Sequence, residues 1–231
     1  MNKLPLLVSV PHAGLQVPAE ARPFCVLSER QIAEDGDEGA REIYDFSEAV
    51  KAFVTTPVAR AIVDLNRAED DRRPDGVVKT HTCLGVPVYG SQPPEHVVDS
   101  LLASYYRPYH ERLRTFARGR VRLGIDCHTM LAVGPEIGPL AGEKRPEICL
   151  GNVDGASCPD SWLDLLASCL QRSFDCEIAL NFPFKGGFIT RSHAAELPWI
   201  QLELSRAPFL GNNEKRARVL TALRAFCDKA F

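Results

Sequence analysis

The sequence predicts an α/β fold: one domain in which a mixed central sheet is flanked by helices. Three observations carry the prediction. Short apolar runs of strand length alternate with longer stretches of helical periodicity, several runs end on charged or amide residues, and no repeat, low-complexity tract or composition shift divides the chain. At 231 residues it is long enough to bury one large core, so residues 1–231 are read as a single domain.

Taken in order, "PLLVSV" (5–10) reads as a buried strand. Residues 30–50 begin polar and become helical, with Ile43, Phe46 and Val50 at helical spacing. "AFVTTPV" and "RAIVDLNR" read as two short strands, the second delivering Asp64, Asn66 and Arg67, and "AEDDRRPDG" is a charged loop. The longest helix runs from Pro93 to about Gly119. Val98, Leu102, Tyr105, Tyr109, Leu113 and Phe116 form its apolar face, and Pro108 is expected to kink it. "RLGIDCHTML" (122–131) is a strand, followed by a Gly/Pro-rich loop over about 133–146. "EICLGNV" is a strand, "PDSWLDLLASCLQRSF" a helix, and "EIALNFPF" and "WIQLEL" are strands. A helix from about Asn213 closes the chain.

Composition removes several classes of function. Apolar residues are 45% and charged residues 25%, ordinary for a globular domain, and a net charge of -3 gives no reason to invoke nucleic acid or an anionic membrane. No apolar stretch approaches the roughly 20 residues of a membrane helix. The opening "MNKLPLLVSVPHAG" carries two prolines and meets a histidine where a cleavage site would stand, so it is read as the first strand of a cytoplasmic protein. The eight cysteines are scattered without a C-x-x-C pair, which predicts reduced thiols.

Ligand sites in open α/β sheets lie beyond the carboxyl ends of the strands. There the sequence places His12, the strand end Asp64-Leu65-Asn66-Arg67, Asp126 and His128, "FKGGFITR" with Arg191, and Glu203 on the last strand. Two imidazoles at strand ends suit a zinc-like ion, with a carboxylate from Asp35, Asp37 or Glu38 as third ligand and Asp126 steadying a histidine. Glu203 alternates with the apolar Ile200, Leu202 and Leu204. A carboxylate there either pairs with Arg206 or Arg191 or serves as a general base. Arg67 and Arg191, with the Asn66 amide, are read as a grip for a substrate carboxylate. Cys127 points to the face opposite His128 and is read as a core thiol. "FKGGF" lacks the phosphate-loop pattern, "SQPPEHVV" with His96 reads as a helix start, and His81, His110 and His193 stand in no supporting pattern.

With these residues in view, the chain resembles the N-formylglutamate amidohydrolase family. The resemblance rests on "LLVSVPHAG", "DGDEGAREIYDF", "AIVDLNR", "YYRPYHERL", "GIDCHTM", "ICLGNVDGASC", "NFPFKGGFITR" and "IQLELS", in the family's order over most of the chain. It implies a fold like the zinc carboxypeptidases and aspartoacylase. It also implies an enzyme using Zn²⁺ or another divalent metal to hydrolyse a small N-acyl amino acid such as N-formylglutamate. On that likeness His12, Asp37 and His128 hold the metal, Glu203 is the general base, and Asn66, Arg67 and Arg191 hold the substrate. Two departures stand out. The carboxypeptidase signature has an acid three residues after its first histidine, where this chain has Leu15, and "EGAR" replaces the family's bulky and acidic residues after Asp37. The rival expectations are a deacylase or carboxypeptidase for another N-acyl amino acid or short peptide, a carboxylate-binding protein without catalysis, and a cysteine hydrolase using Cys127.

Overall fold

The computed structural model describes residues 2–137 and 140–231. Its sheet has six strands: β1 (Leu4–Val10), β2 (Val50–Thr55), β3 (Leu123–Met130), β4 (Ile148–Gly151), β5 (Ile178–Leu180) and β6 (Trp199–Ser205). They lie in the order β2-β1-β3-β6-β4-β5. All neighbouring pairs are parallel except β4 with β6, so the expected mixed sheet is present. The three central strands β1, β3 and β6 run the same way, and their carboxyl ends meet at one edge.

Every residue of β3 and β6 is buried, so the polar side chains that alternate with their apolar ones, Asp126, His128, Gln201 and Glu203, lie inside the protein too. Ile125, Cys127, Ile200, Leu202 and Leu204 enter the core on one face. That core is closed by α2 (Ala40–Ile43), α5 (Asp160–Phe174) and α7 (Asn212–Ala230). The opposite face, with Leu7 and Trp199, packs on α1 (Glu29–Asp35) and on a long helical run. That run is α3 (Glu95–Leu101), a π-helical turn (Leu102–Tyr106) and α4 (Arg107–Ala117). A short α6 (Phe188–Ser192) precedes β6. No helix among the described residues is long and apolar enough to cross a membrane.

The structure corrects four details. "RAIVDLNR" forms turns rather than a strand: Ile62 and Val63 both hydrogen-bond back to the Ala59 carbonyl, and the Asp64 carboxylate accepts from Asn66 N at 2.9 Å. A short buried apolar run does not by itself distinguish ladder from turn. The helix expected to reach Val50 breaks into α1, which ends at extended Gly36, and α2, which starts after left-handed Gly39 (φ 79°), and Val50 opens β2. The irregularity in the long helix lies just before Pro108, in the π-helical turn that takes up the hydrogen bond proline cannot donate. "EIALNFPF" yields only three strand residues, Ile178–Leu180, because the next residue, Asn181, turns left-handed (φ 54°). All eight cysteines are free, and Cys127 is fully buried, its thiol pushed well above the ordinary range by burial.

Candidate metal centre

Strand register assembles the site. β3 and β6 pair so that His128 faces Glu203 and Asp126 faces Gln201, while Ser9 of β1 faces Asp126. With the side-chain period of two, Asp126, His128, Gln201 and Glu203 share the face opposite Cys127. His12 follows directly from β1. The loop between α1 and α2 returns to it, with Asp37 N donating to the His12 carbonyl at 3.1 Å. Three residues remote in sequence are thereby brought together. His12, Asp37 and His128 are all buried, and one ligand atom from each lies within 4.8 Å of the others.

Each imidazole is oriented through its outer nitrogen. His12 Nε2 donates to Asp64 Oδ1 at 2.8 Å, and His128 Nε2 donates to Asp126 Oδ2 at 3.0 Å. This leaves both Nδ1 atoms facing Asp37 Oδ2, at 3.5 Å for His12 and 2.9 Å for His128. Carboxylate–imidazole pairs of this kind fix the tautomer of a metal-ligating histidine. His12 Nδ1 is buried and has no hydrogen-bond partner among the described residues. A buried nitrogen lone pair left open beside a carboxylate and a second imidazole fits a divalent cation of zinc type. Of the other acids weighed for this role, Asp35 is held by Lys79 Nζ at 3.0 and 3.2 Å and by Cys83 N, and Glu38 is exposed.

Glu203 stands beside the cluster. Gln201 Nε2 donates to Oε1 at 2.9 Å, while Oε2 is buried with no partner. Burial raises its pKa to about 7, with Asp37 adding to the effect and His128 opposing it. Neither Arg206 nor Arg191 pairs with it. Arg206 instead reaches the Gly36 and Thr129 carbonyls and lies 3.6 Å from Asp37 Oδ1.

The three residues expected to grip substrate, Asn66, Arg67 and Arg191, all line one cavity but differ in what already holds them. Arg191 is exposed and lines a cavity of about 520 Å³ that also reaches His12, Asp37, His128 and Glu203. Arg67 lines it too, but its guanidinium is tied to Asp75 through Nε (3.0 Å) and Nη2 (3.3 Å). The Asn66 amide is used within the protein: Oδ1 accepts from Ile189 N at 2.8 Å, and Nδ2 lies 3.5 Å from Asp126 Oδ2. Gly187 makes room for that amide, since a Cβ there would come within 2.2 Å of Asn66 Nδ2.

Each central-strand motif thus ends on a member of one constellation, and the same motifs carry a family match. The sequence model of N-formylglutamate amidohydrolase matches residues 4–210. The chain belongs to the N-formylglutamate amidohydrolase family. It is 31% identical over 229 residues to the N-formylglutamate deformylase of Pseudomonas putida, covering 92% of this chain and 84% of that protein. It is 28% identical over 243 residues to the N-formylglutamate deformylase of Pseudomonas aeruginosa, covering 97% and 90%. The fold matches a crystal structure of N-formylglutamate amidohydrolase from Ralstonia eutropha with a TM-score of 0.79 at 21% identity, covering 98% of this chain and 94% of that one.

Several supporting residues were not singled out by sequence reasoning. Asp64 was visible in "AIVDLNR" but had no role until the fold placed it behind His12. Ser9 donates to Asp126 Oδ1 at 2.9 Å and accepts from the Tyr109 hydroxyl at 2.9 Å. His110 and His193 form a stacked, hydrogen-bonded pair, and His110 Nε2 donates to the Leu65 carbonyl at 3.1 Å, bracing the turn that carries Asp64 and Asn66. Burial lowers the His110 pKa to about 3, which keeps that imidazole neutral.

Proposed function

We propose that the chain is a metal-dependent amidohydrolase that splits N-formylglutamate, or a closely similar N-acyl acidic amino acid, into a short carboxylic acid and the free amino acid. His12, Asp37 and His128 would hold the cation, of which Zn²⁺ fits the nitrogen-rich donor set best. When bound, such a cation supplies Lewis acidity for the scissile carbonyl and for an attacking water. The rest of the chemistry belongs to the chain. Glu203 Oε2 takes a proton from the attacking water and returns it to the departing amide nitrogen, with Gln201 fixing the other oxygen. Asp64 and Asp126 hold the two imidazoles with Nδ1 free for ligation. Arg191 receives a carboxylate of the substrate from the cavity wall. Asn66 acts from behind, through Asp126 and Ile189.

One observation carries the reading. His12 Nδ1 and Glu203 Oε2, a Lewis base and a Brønsted base, are both buried without partners, and both residues line one cavity. Family membership and the named activities of the Pseudomonas relatives support the substrate. The test is formate release from N-formylglutamate by protein purified without chelator, after chelation, and after zinc is returned. Loss and recovery of turnover are expected. Less than about half an equivalent of bound metal would favour a carboxylate-binding protein instead, and turnover indifferent to chelation would refute the metal role.

A further inference from the structure

Six cationic side chains line the cavity: Arg60, Arg67, Arg145, Lys185, Arg191 and Arg206. Four already have carboxylate partners. Arg60 is 3.1 Å from Asp64 and 3.7 Å from Asp37, Arg67 is 3.3 Å from Asp75, Lys185 is 2.7 Å from Asp154, and Arg206 is 3.6 Å from Asp37. Among the described residues, Arg145 and Arg191 have no carboxylate within ion-pair distance. Arg145 is the more unusual of the two. Its Nε is buried without a hydrogen-bond partner among the described residues, and its guanidinium lies over the Phe184 ring at 5.1 Å. An aromatic face holds the guanidinium plane in a fixed orientation, which prepares a fork-shaped donor for a carboxylate. Leaving a buried N–H of a charged group unsatisfied is costly, so this arrangement is best explained by a ligand atom that completes it.

We infer that Arg145 is the specificity residue for the side-chain carboxylate of the substrate, while Arg191 receives the carboxylate nearer the scissile amide. Two unspent guanidiniums in one cavity match a dicarboxylic N-acyl amino acid. The division of roles follows from what carries each group. Arg191 sits on α6, whose Ile189 N–H holds Asn66 against the Asp126–His128 pair, next to the reacting centre. Arg145 hangs from the loop after β3 and is supported by Phe184, which has no part in the ligand set. This inference rests on the proposed amidohydrolase reading for its substrate, but the subsite itself is a matter of carboxylate binding.

The experiment compares the parent protein with Arg145→Met on N-formylglutamate and N-formylglutamine, which differ only in the terminal carboxylate. The quantity read is the ratio of the two kcat/KM values, which is independent of how much of each preparation is active. The ratio is expected to fall about 30-fold or more, through the KM for N-formylglutamate, the order set by losing a charge-assisted bidentate pair. Arg145→Lys should recover part of it. A ratio within threefold of the parent, or an equal loss of kcat on both substrates, would overturn the assignment. A second arm measures glutarate and butyrate binding by calorimetry to both proteins. The parent is expected to prefer glutarate and Arg145→Met to lose that preference. An undiminished preference overturns the subsite even if neither formyl compound is turned over, an outcome that would separately refute the proposed activity.

Discussion

Replacing Asp126 with Asn tests whether the carboxylates behind the histidines set metal affinity. The Asp126 Oδ1 atom accepts from Ser9 Oγ at 2.9 Å, which leaves the Tyr109 hydroxyl, 2.9 Å from Ser9 Oγ, to donate to it. In the variant the amide oxygen keeps this pattern by staying on Ser9. The amide NH₂ then replaces Oδ2, 3.0 Å from His128 Nε2 and 3.5 Å from Asn66 Nδ2. Three N–H groups would converge with no acceptor. The least costly relief moves the His128 proton to Nδ1, the nitrogen that faces Asp37 and His12. That removes the lone pair a cation needs. Loss of such supporting groups typically weakens metal binding about 10- to 100-fold, and the forced tautomer places this case at the upper end, roughly 2–3 kcal/mol. A competition titration against a chromophoric zinc chelator reads the dissociation constant directly, with circular dichroism to show that the fold is kept. A folded variant whose zinc affinity stays within threefold of the parent would refute this account of how His128 is prepared.

Two further substitutions separate chemistry from architecture. Glu203→Gln preserves the Gln201 contact and removes the base. Turnover should fall about 10²- to 10⁴-fold while the protein retains its metal by elemental analysis. Lys79→Met removes a fully buried ammonium that lies 3.0 Å from Asp35 and 3.8 Å from Asp64, leaving two buried carboxylates less well compensated. A loss of about 3 kcal/mol is expected, seen as a melting temperature roughly 6–12 °C lower by calorimetry, and an unchanged melting temperature would remove Lys79 from the network.

What the sequence discloses about this site follows from where the structural information resides. β3 and β6 are legible because apolar Ile125, Cys127, Ile200, Leu202 and Leu204 recur at every second position, and that period of two sorts Asp126, His128 and Glu203 onto the other face without coordinates. Asp37 is not legible from pattern alone. It sits in a loop whose path depends on Gly39 and on one backbone hydrogen bond to His12, and three acids within four residues look equivalent until Asp35 is seen to meet Lys79. The turn at 59–66 reads as a strand because its apolar residues are buried by tertiary packing rather than by a ladder. Asp64, behind His12, is a consequence of that turn. Arg145 has no local signal: its meaning comes from Phe184, some forty positions away, and from the partners that the other cationic side chains already have.

The charges around the histidines make a last, more stringent expectation. Five carboxylates, Asp35, Asp37, Asp64, Asp126 and Glu203, are buried together with Lys79 and the largely buried Arg60 and Arg206. If every acid is ionised and the histidines are neutral, the set is two positive charges short, the deficit a divalent cation makes good. Without one, the protein is expected to retain protons, and Glu203 and His128, both with raised pKa, stand beside the gap. Burial lifts Glu203 to about 7. His128 is held well above the ordinary histidine range: burial opposes its charge, but Asp126 and Asp37 outweigh it. At pH 6, below this raised pKa, Glu203 is expected to be mostly protonated in the metal-free protein. A bound cation favours the carboxylate and the neutral imidazole, so zinc binding must expel protons and must weaken as pH falls. Calorimetry in buffers of different ionisation enthalpy counts those protons. At pH 6 the parent should release about one more than Glu203→Gln, and at pH 8 the two should agree, because Glu203 is by then already ionised. For the same reason the acid limb of turnover in the zinc-loaded protein should lie below 7. Equal proton release by parent and variant at pH 6 would mean that Glu203 does not feel the cation, and a carboxylate outside its influence is not placed to serve as the base.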